Sequence, residues 1–358
     1  MEIRVSNPSF VATNLIDDLE SVLWIERYNS VGEFEIKTTY REELLSIFQE
    51  DYYLNIAESG ETMIVESSFI ESNPDTGPKL TIKGRSATSI LDRRIVLRKL
   101  VIDSGWQSGI HTILDQNMIS SIYPSRNITN FIYETATDPY ITGLTLKAQF
   151  YSENILDLIT SLCQEANVGF FIFTYNNYFI LRFYVGKDRS YAQTTNPFVV
   201  FSPEFDNLIK SNYYRSKATK KDYALITGAT PPDAPGYPIR GQAWAPDVQT
   251  GLQRREMHVD ATSLSLYPEG SSTRMTDDVY IAQLAQLGME ELARNSEYTL
   301  FDGQVDLSQT YKYKVDFFLG DIIQMEDAYG HTARSQITEM TFFENPSGSG
   351  VYPTLKTV

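Results

Sequence analysis

A segment that occurs twice constrains this chain more than any other feature. Gly32-Glu33-Phe34-Glu35-Ile36-Lys37-Thr38-Thr39-Tyr40 matches Gly303-Gln304-Val305-Asp306-Leu307-Ser308-Gln309-Thr310-Tyr311. Glycine, threonine and tyrosine are identical, apolar positions agree in kind, and Glu35 falls on Asp306. Further matches follow in the same order. Tyr53-Leu54-Asn55-Ile56 parallels Ile322-Ile323-Gln324-Met325, Gly60-Glu61-Thr62 parallels Gly330-His331-Thr332, and the run from Phe69 to Asn73-Pro74 parallels that from Phe342 to Asn345-Pro346. The 32–38 segment alternates, with Phe34 and Ile36 on one face and Glu33, Glu35 and Lys37 on the other, as in a half-buried antiparallel strand. Ordered matches at near-equal spacing imply two related β modules within one chain.

The rest of the pattern divides the chain around those modules. The first occupies 1–97 and the second is split, 201–230 and 296–358. Between them, 98–200 reads as an α+β accessory domain, and 231–295 as an inserted accessory domain entered through Pro231, Pro232, Pro235, Pro238 and Pro246. Helices are expected at 41–48, 86–93, 110–118 and 276–295, the last with Thr276 as its cap. Ser152 is placed to cap another, whose stripe is Ile155, Leu158, Ile159, Leu162 and Ala166. Strands 170–174 and 178–184 should form a hairpin through Asn176-Asn177, since Asn tolerates the left-handed region.

The 358 residues carry 30 basic and 46 acidic side chains, a formal charge of −16. That balance argues against a sequence-independent nucleic-acid binder, which displaces counterions with a basic surface. One cysteine, Cys163, excludes an intrachain disulfide, and at the edge of the apolar stripe it reads as a small buried hydrophobe. His111, His258 and His331 have no close companions in sequence, so zinc chemistry is not expected. Phosphate-cradling glycine motifs and GxSxG are absent. Adjacent acid pairs (Asp17-Asp18, Glu42-Glu43, Asp277-Asp278, Glu290-Glu291) do not face each other on a helix or strand. Asp92-Arg93-Arg94 reads as a helix-terminal charge cluster or an intersubunit salt link. No catalytic, cofactor-binding or metal-binding residue is assigned. With neither a basic-then-apolar leader nor a long apolar span, a soluble, cytoplasmically made protein without a membrane anchor is expected.

Several runs carry a resemblance. Gly84-Arg85-Ser86 through Leu91-Asp92-Arg93-Arg94-Ile95-Val96 resembles the "GRS…LLDRRIV" signature of siphophage tail proteins of the baseplate hub, or tail-associated-lysin N-terminal, group. Tyr28 to Glu35 resembles its "Y…GEFE" opening, and Asn154 to Ile159 its central helix. Gly186-Lys187-Asp188-Arg189-Ser190 resembles "GxDRT", and Val200 to Leu208 resembles "VFSPEFDNL". Arg254 to Ala261 and Asp316 to Ile323 complete the pattern, which spans nearly the whole chain.

The resemblance implies a mainly β fold: two related antiparallel β-barrel tube domains plus two smaller α+β accessory domains, assembling as a homotrimeric ring. It implies a non-enzymatic tail hub in the virion. Such a hub joins the tail tube or distal tail protein to the tail tip and its fibre proteins, and forms a channel through which DNA passes without specific binding. Assembly would take place in the cytoplasm of the bacterial host, no cofactor is implied, and receptor contact or wall digestion would fall to another protein. The competing reading is a carbohydrate-active enzyme or sugar-binding module, with Trp106 and Trp244 as stacking platforms. It requires two carboxylates facing each other across a cleft.

Overall fold

The computed structural model describes residues 1–75, 77–267, 272–296, 298–305 and 310–358, with backbone alone at 149, 209, 211 and 298–304. Two compact units emerge, one from 1–211 with 301–358 and the other from 212–300.

The larger unit opens with β1 (Ile3–Ser6), β2 (Ala12–Ile16), β3 (Ser21–Arg27) and β4 (Glu33–Thr39), then α1 (Glu42–Ile47), β5 (Tyr53–Ile56), β6 (Met63–Asn73) and β7 (Gly77–Ser86). β4 alternates as its sequence does, burying Phe34, Ile36 and Thr38. The helix expected at 86–93 is a 3-10 helix over Ala87–Arg93, with every side chain from Ala87 to Leu91 buried.

The next stretch holds β8 (Leu100–Gly105), α2 (Trp106–Leu114), β9 (Phe131–Tyr133), α3 (Pro139–Gly143), β10 (Thr145–Phe150), α4 (Ile155–Glu165), β11 (Gly169–Tyr175) and β12 (Tyr178–Tyr184). α2 starts earlier than its apolar pattern suggested and runs into a wider π turn at Asp115–Ile119. The cap of α4 is Asn154, whose side chain accepts from the amides of Leu156 and Asp157; Ser152 instead takes a left-handed conformation. β11 and β12 form the expected hairpin, and Asn176 and Asn177 both have positive φ. Ile110, Ile113, Ile159, Leu162, Phe170, Ile172 and Leu181 make one core here, and Cys163 is fully buried within it.

After β13 (Val200–Phe201) the chain enters β14 (Leu208–Ser216). The smaller unit then holds β15 (Tyr223–Thr227), β16 (Arg240–Trp244), β17 (Glu256–Asp260) and α5 (Asp277–Arg294). α5 packs Tyr280 and Leu284 onto Ala224, Ile226 and Ala243. Thr276 is its N-cap residue without a side-chain cap bond. The chain returns along β18 (Tyr298–Val305), which pairs with β14, and closes with β19 (Ile322–Glu326), β20 (Thr332–Asn345) and β21 (Gly348–Thr357).

The repeated sequence has a structural counterpart. β5 pairs with β6 and β6 with β7; β19 pairs with β20 and β20 with β21. Both long hairpins carry a bulge at the same place: Glu66 stands as far before Asn73 as Thr338 stands before Asn345. The matched positions Asp306, Leu307, Ser308 and Gln309 lie outside the described residues. Among the described residues the two modules do not close into separate barrels. Their strands join in one eleven-stranded sheet, β13-β19-β20-β3-β4-β7-β6-β5-β1-β2 with β21 on β20. β20 causes the merger: it is long enough to pair with β19 at one end and β3 at the other, along the same edge. Trp24, Phe34 and Ile36 consequently share a core with Phe317, Ile323, Met340 and Phe342.

Candidate functional site

Three of the runs that carried the resemblance, 28–35, 186–190 and 316–323, meet within the larger unit, whereas 254–261 lies in the smaller one. Tyr28, just after β3, lies buried with its ring against Gly169 and Gly320. A Cβ on Gly169 would stand 2.3 Å from that ring, and one on Gly320 would stand 2.2 Å from it. The Tyr28 hydroxyl donates to the Asn167 carbonyl at 2.9 Å and accepts from the Gly186 amide at 3.3 Å. Its main chain is engaged as well: its amide donates to the carbonyl of the bulge residue Thr338, and its carbonyl accepts from Phe170. Burial pushes the Tyr28 hydroxyl up to about 12.

Beside it, Gly186-Lys187-Asp188-Arg189-Ser190 locks onto Leu319-Gly320-Asp321-Ile322. The backbones approach so closely that a Cβ on Gly186 would meet the Gly320 carbonyl oxygen at 1.9 Å. Asp321, 1% exposed, accepts from the Lys187 amide and from Arg189 Nε, both at 2.6 Å, and from the Phe318 amide at 3.0 Å. This ion pair is buried on both sides. Asp188 extends the joint to β20 through Arg334 Nη2 at 2.7 Å.

A cavity of about 390 Å³ opens against this joint, lined by Glu26, Glu61, Phe171, Tyr184, Tyr313 and Lys314 among others. Glu26, 3% exposed, accepts from Ser59 Oγ at 2.5 Å, the Gly60 amide at 2.9 Å and the Tyr313 hydroxyl at 2.7 Å. Lys314, with φ +66°, brings Nζ to 3.4 Å from the same carboxyl and donates to the Glu58 carbonyl at 2.6 Å. Glu61 is also buried, and its Oε2 has no hydrogen-bond partner among the described residues. Burial first, then the neighbouring Glu26 charge, holds its carboxyl well above the usual range.

Two carboxyl groups at one cavity meet part of what a glycosidase needs. Glu26, however, is tied to four donors that fasten the 59–60 turn and the 313–314 segment together. That arrangement suits holding parts in place better than moving protons. Among the described residues no cluster of three His, Cys, Asp or Glu gathers at metal-binding spacing, and no helix is long and apolar enough to cross a membrane.

The raised Glu61 has a measurable consequence. A carboxyl whose folded pKa exceeds its unfolded value contributes stability that is complete below the unfolded value of about 4.5. That contribution is lost as pH rises toward the folded value. Glu61→Gln is therefore expected to raise the melting temperature at pH 7–8, with the gain shrinking toward pH 4. Parallel melting-temperature profiles for the two proteins would contradict the assignment.

Other sequence candidates fall elsewhere. Trp106 is not a platform: it starts α2 facing inward, 3% exposed, edge-on to Phe183 at 5.2 Å. Trp244 is exposed in the smaller unit, tilted on Tyr223 at 5.9 Å. His111 stacks on Tyr133 at 3.6 Å, and burial lowers its pKa. Burial pushes the Cys163 thiol well up, away from nucleophilic use. Glu26, Glu61, Tyr313 and Lys314 were not singled out from sequence, and no local pattern joins them.

A family model, Siphovirus ReqiPepy6 Gp37-like protein, matches residues 2–355. No curated protein matches the chain by sequence. Among solved structures, the chain is similar to the 43 kDa tail protein of prophage MuSo2 from Shewanella oneidensis. That match has TM-score 0.62 at 13% identity and covers 99% of this chain and 98% of that one. Prophage tail protein gp18 from Listeria monocytogenes EGD-e gives TM-score 0.57 at 14% identity, covering 99% and 94%. A tail protein from Neisseria meningitidis MC58 gives 0.55 at 11%, covering 99% and 95%. At these identities the likeness is one of fold.

Proposed function

The chain belongs to the Siphovirus ReqiPepy6 Gp37-like family of tail proteins, and from that premise we propose that it is the hub of the virion tail. In this reading the protein is a structural part without a catalytic step. It joins the tail tube or distal tail protein to the tail tip and its fibre proteins, and lines a channel that DNA passes without being specifically bound. It is assembled in the cytoplasm of the bacterial host. The four-part division stated above, with tube-like modules at 1–97 and at 201–230 with 296–358, belongs to the same proposal.

The observation that carries it is the paired hairpin. β5-β6-β7 and β19-β20-β21 share strand order and bulge position within one chain. Three chains with two like modules each can present near-sixfold contacts to a sixfold tube, a physical use for duplicating the module. The joint at Tyr28, Asp321 and Glu26 suits this role, since it fastens both modules to the 167–190 segment. Counting copies in assembled tails, by quantitative mass spectrometry against the tube protein, should give three. One or six copies per tail would remove the reason for the duplication.

A further inference from the structure

In a chain with 16 more acidic than basic groups, arginines readily find carboxylates, and most here do. Arg27, Arg85, Arg93, Arg182 and Arg334 all sit in ion pairs. Arg94, Arg98 and Arg126 do not: among the described residues none has a carboxylate within ion-pair distance. Arg94 Nε donates to the Arg126 carbonyl at 3.0 Å, and Arg126 Nη2 donates to the Ile95 carbonyl at 2.7 Å. Arg98 lies over the Tyr123 ring at 5.9 Å. Main-chain carbonyls satisfy N–H groups but leave the charges uncompensated. Arg94 accordingly has its pKa lowered, by burial and then by the like charges of Arg126 and Arg93. Around these arginines Ile95, Ile122 and Tyr123 are exposed.

Uncompensated arginines among exposed aliphatic and tyrosine side chains have the composition of a protein interface; a surface that tracks nucleic-acid phosphates carries a far larger excess of basic groups than three arginines on a chain of net charge −16. The missing element is a carboxylate-bearing face, and this chain carries one. Arg41 Nη2 lies 3.2 Å from Asp18 Oδ2, so the exposed acids Asp17, Glu42 and Glu43, adjacent in sequence to that ion pair, flank it. Two unlike patches on one chain are what a head-to-tail ring contact requires.

We infer that the Arg94–Arg98–Arg126 patch is a docking surface for an acidic face of a second copy of this chain, the acids at 17–18 and 42–43 being its counterpart. The inference rests on the ring assembly proposed above. To test it, a photoreactive benzoylphenylalanine is placed at Tyr123 in the full chain and the variant is incorporated into tails. Irradiation should yield a species of twice the 40.7 kDa chain mass, with the cross-linked peptide containing residue 17, 18, 42 or 43. Arg98→Glu, which alters a side chain set over the Tyr123 ring, should cut that yield at least fivefold while leaving the fold intact by circular dichroism. Cross-linking to another tail protein or to DNA, or no cross-link, overturns the inference. If tails hold three copies yet Tyr123 links elsewhere, this surface fails while the ring reading stands. A copy number other than three fails that reading separately.

Discussion

Asp321→Ala is expected to lower the stability of the larger unit by about 3–5 kcal/mol, the cost of stripping one partner from a buried ion pair. The substitution leaves the Arg189 guanidinium, 7% exposed, without its counter-charge. It also strands the amides of Lys187 and Phe318. Asp321→Asn keeps the shape and one accepting oxygen but removes the charge, so it should fall between wild type and Asp321→Ala. Urea unfolding followed by the emission of Trp24 and Trp106, in a Trp244→Phe background, reads this unit selectively. A loss below about 1 kcal/mol would mean that Asp321 does not hold the 186–190 and 319–322 segments together.

The parts legible in the sequence were those written in short-range pattern. The alternation from Glu33 to Lys37, the stripe from Ile155 to Leu162 and the Asn176-Asn177 turn each report a local preference that the fold honours. The duplicated hairpins could be read because the turn residues Asn73-Pro74 and Asn345-Pro346 and the aromatics before them were kept. Capping was less certain: Ser152 and Asn154 are both good caps, and the backbone at Ser152 turns left-handed before the helix begins. What the sequence could not convey was convergence. Glu26 meets Tyr313 across 287 positions, and Arg189 meets Asp321 across 132. Trp106 looked like a stacking platform because its burial depends on Phe183 of a distant hairpin. The contact of Arg41 with Asp18, 23 positions away, has no local signature either. The separate barrels implied by the resemblance did not allow for β20, whose length fuses the two modules' strands.

Tyr28 should prove as costly to lose as Asp321, and its two halves can be measured apart. Tyr28→Ala is expected to cost about 3–5 kcal/mol, the range for emptying a buried aromatic site. Collapse into the space is resisted, since Gly169 and Gly320 face the ring from different segments already tied down by β11 and the Asp321 joint. Tyr28→Phe keeps the ring and its edge-on contact with Tyr184 at 5.4 Å, but leaves the Asn167 carbonyl and the Gly186 amide without this partner. A loss of about 1–2 kcal/mol follows from two unmet main-chain groups at a partly buried site. The difference between the variants isolates the packing of the ring. If Tyr28→Ala and Tyr28→Phe unfold at the same urea concentration, the ring does not brace the glycines, and the junction is held by its hydrogen bonds alone. If both match wild type, the convergence of the 186–190 and 316–323 runs on Tyr28 has no energetic meaning. The joint would then have to be sought in the Glu26–Tyr313–Lys314 cluster instead.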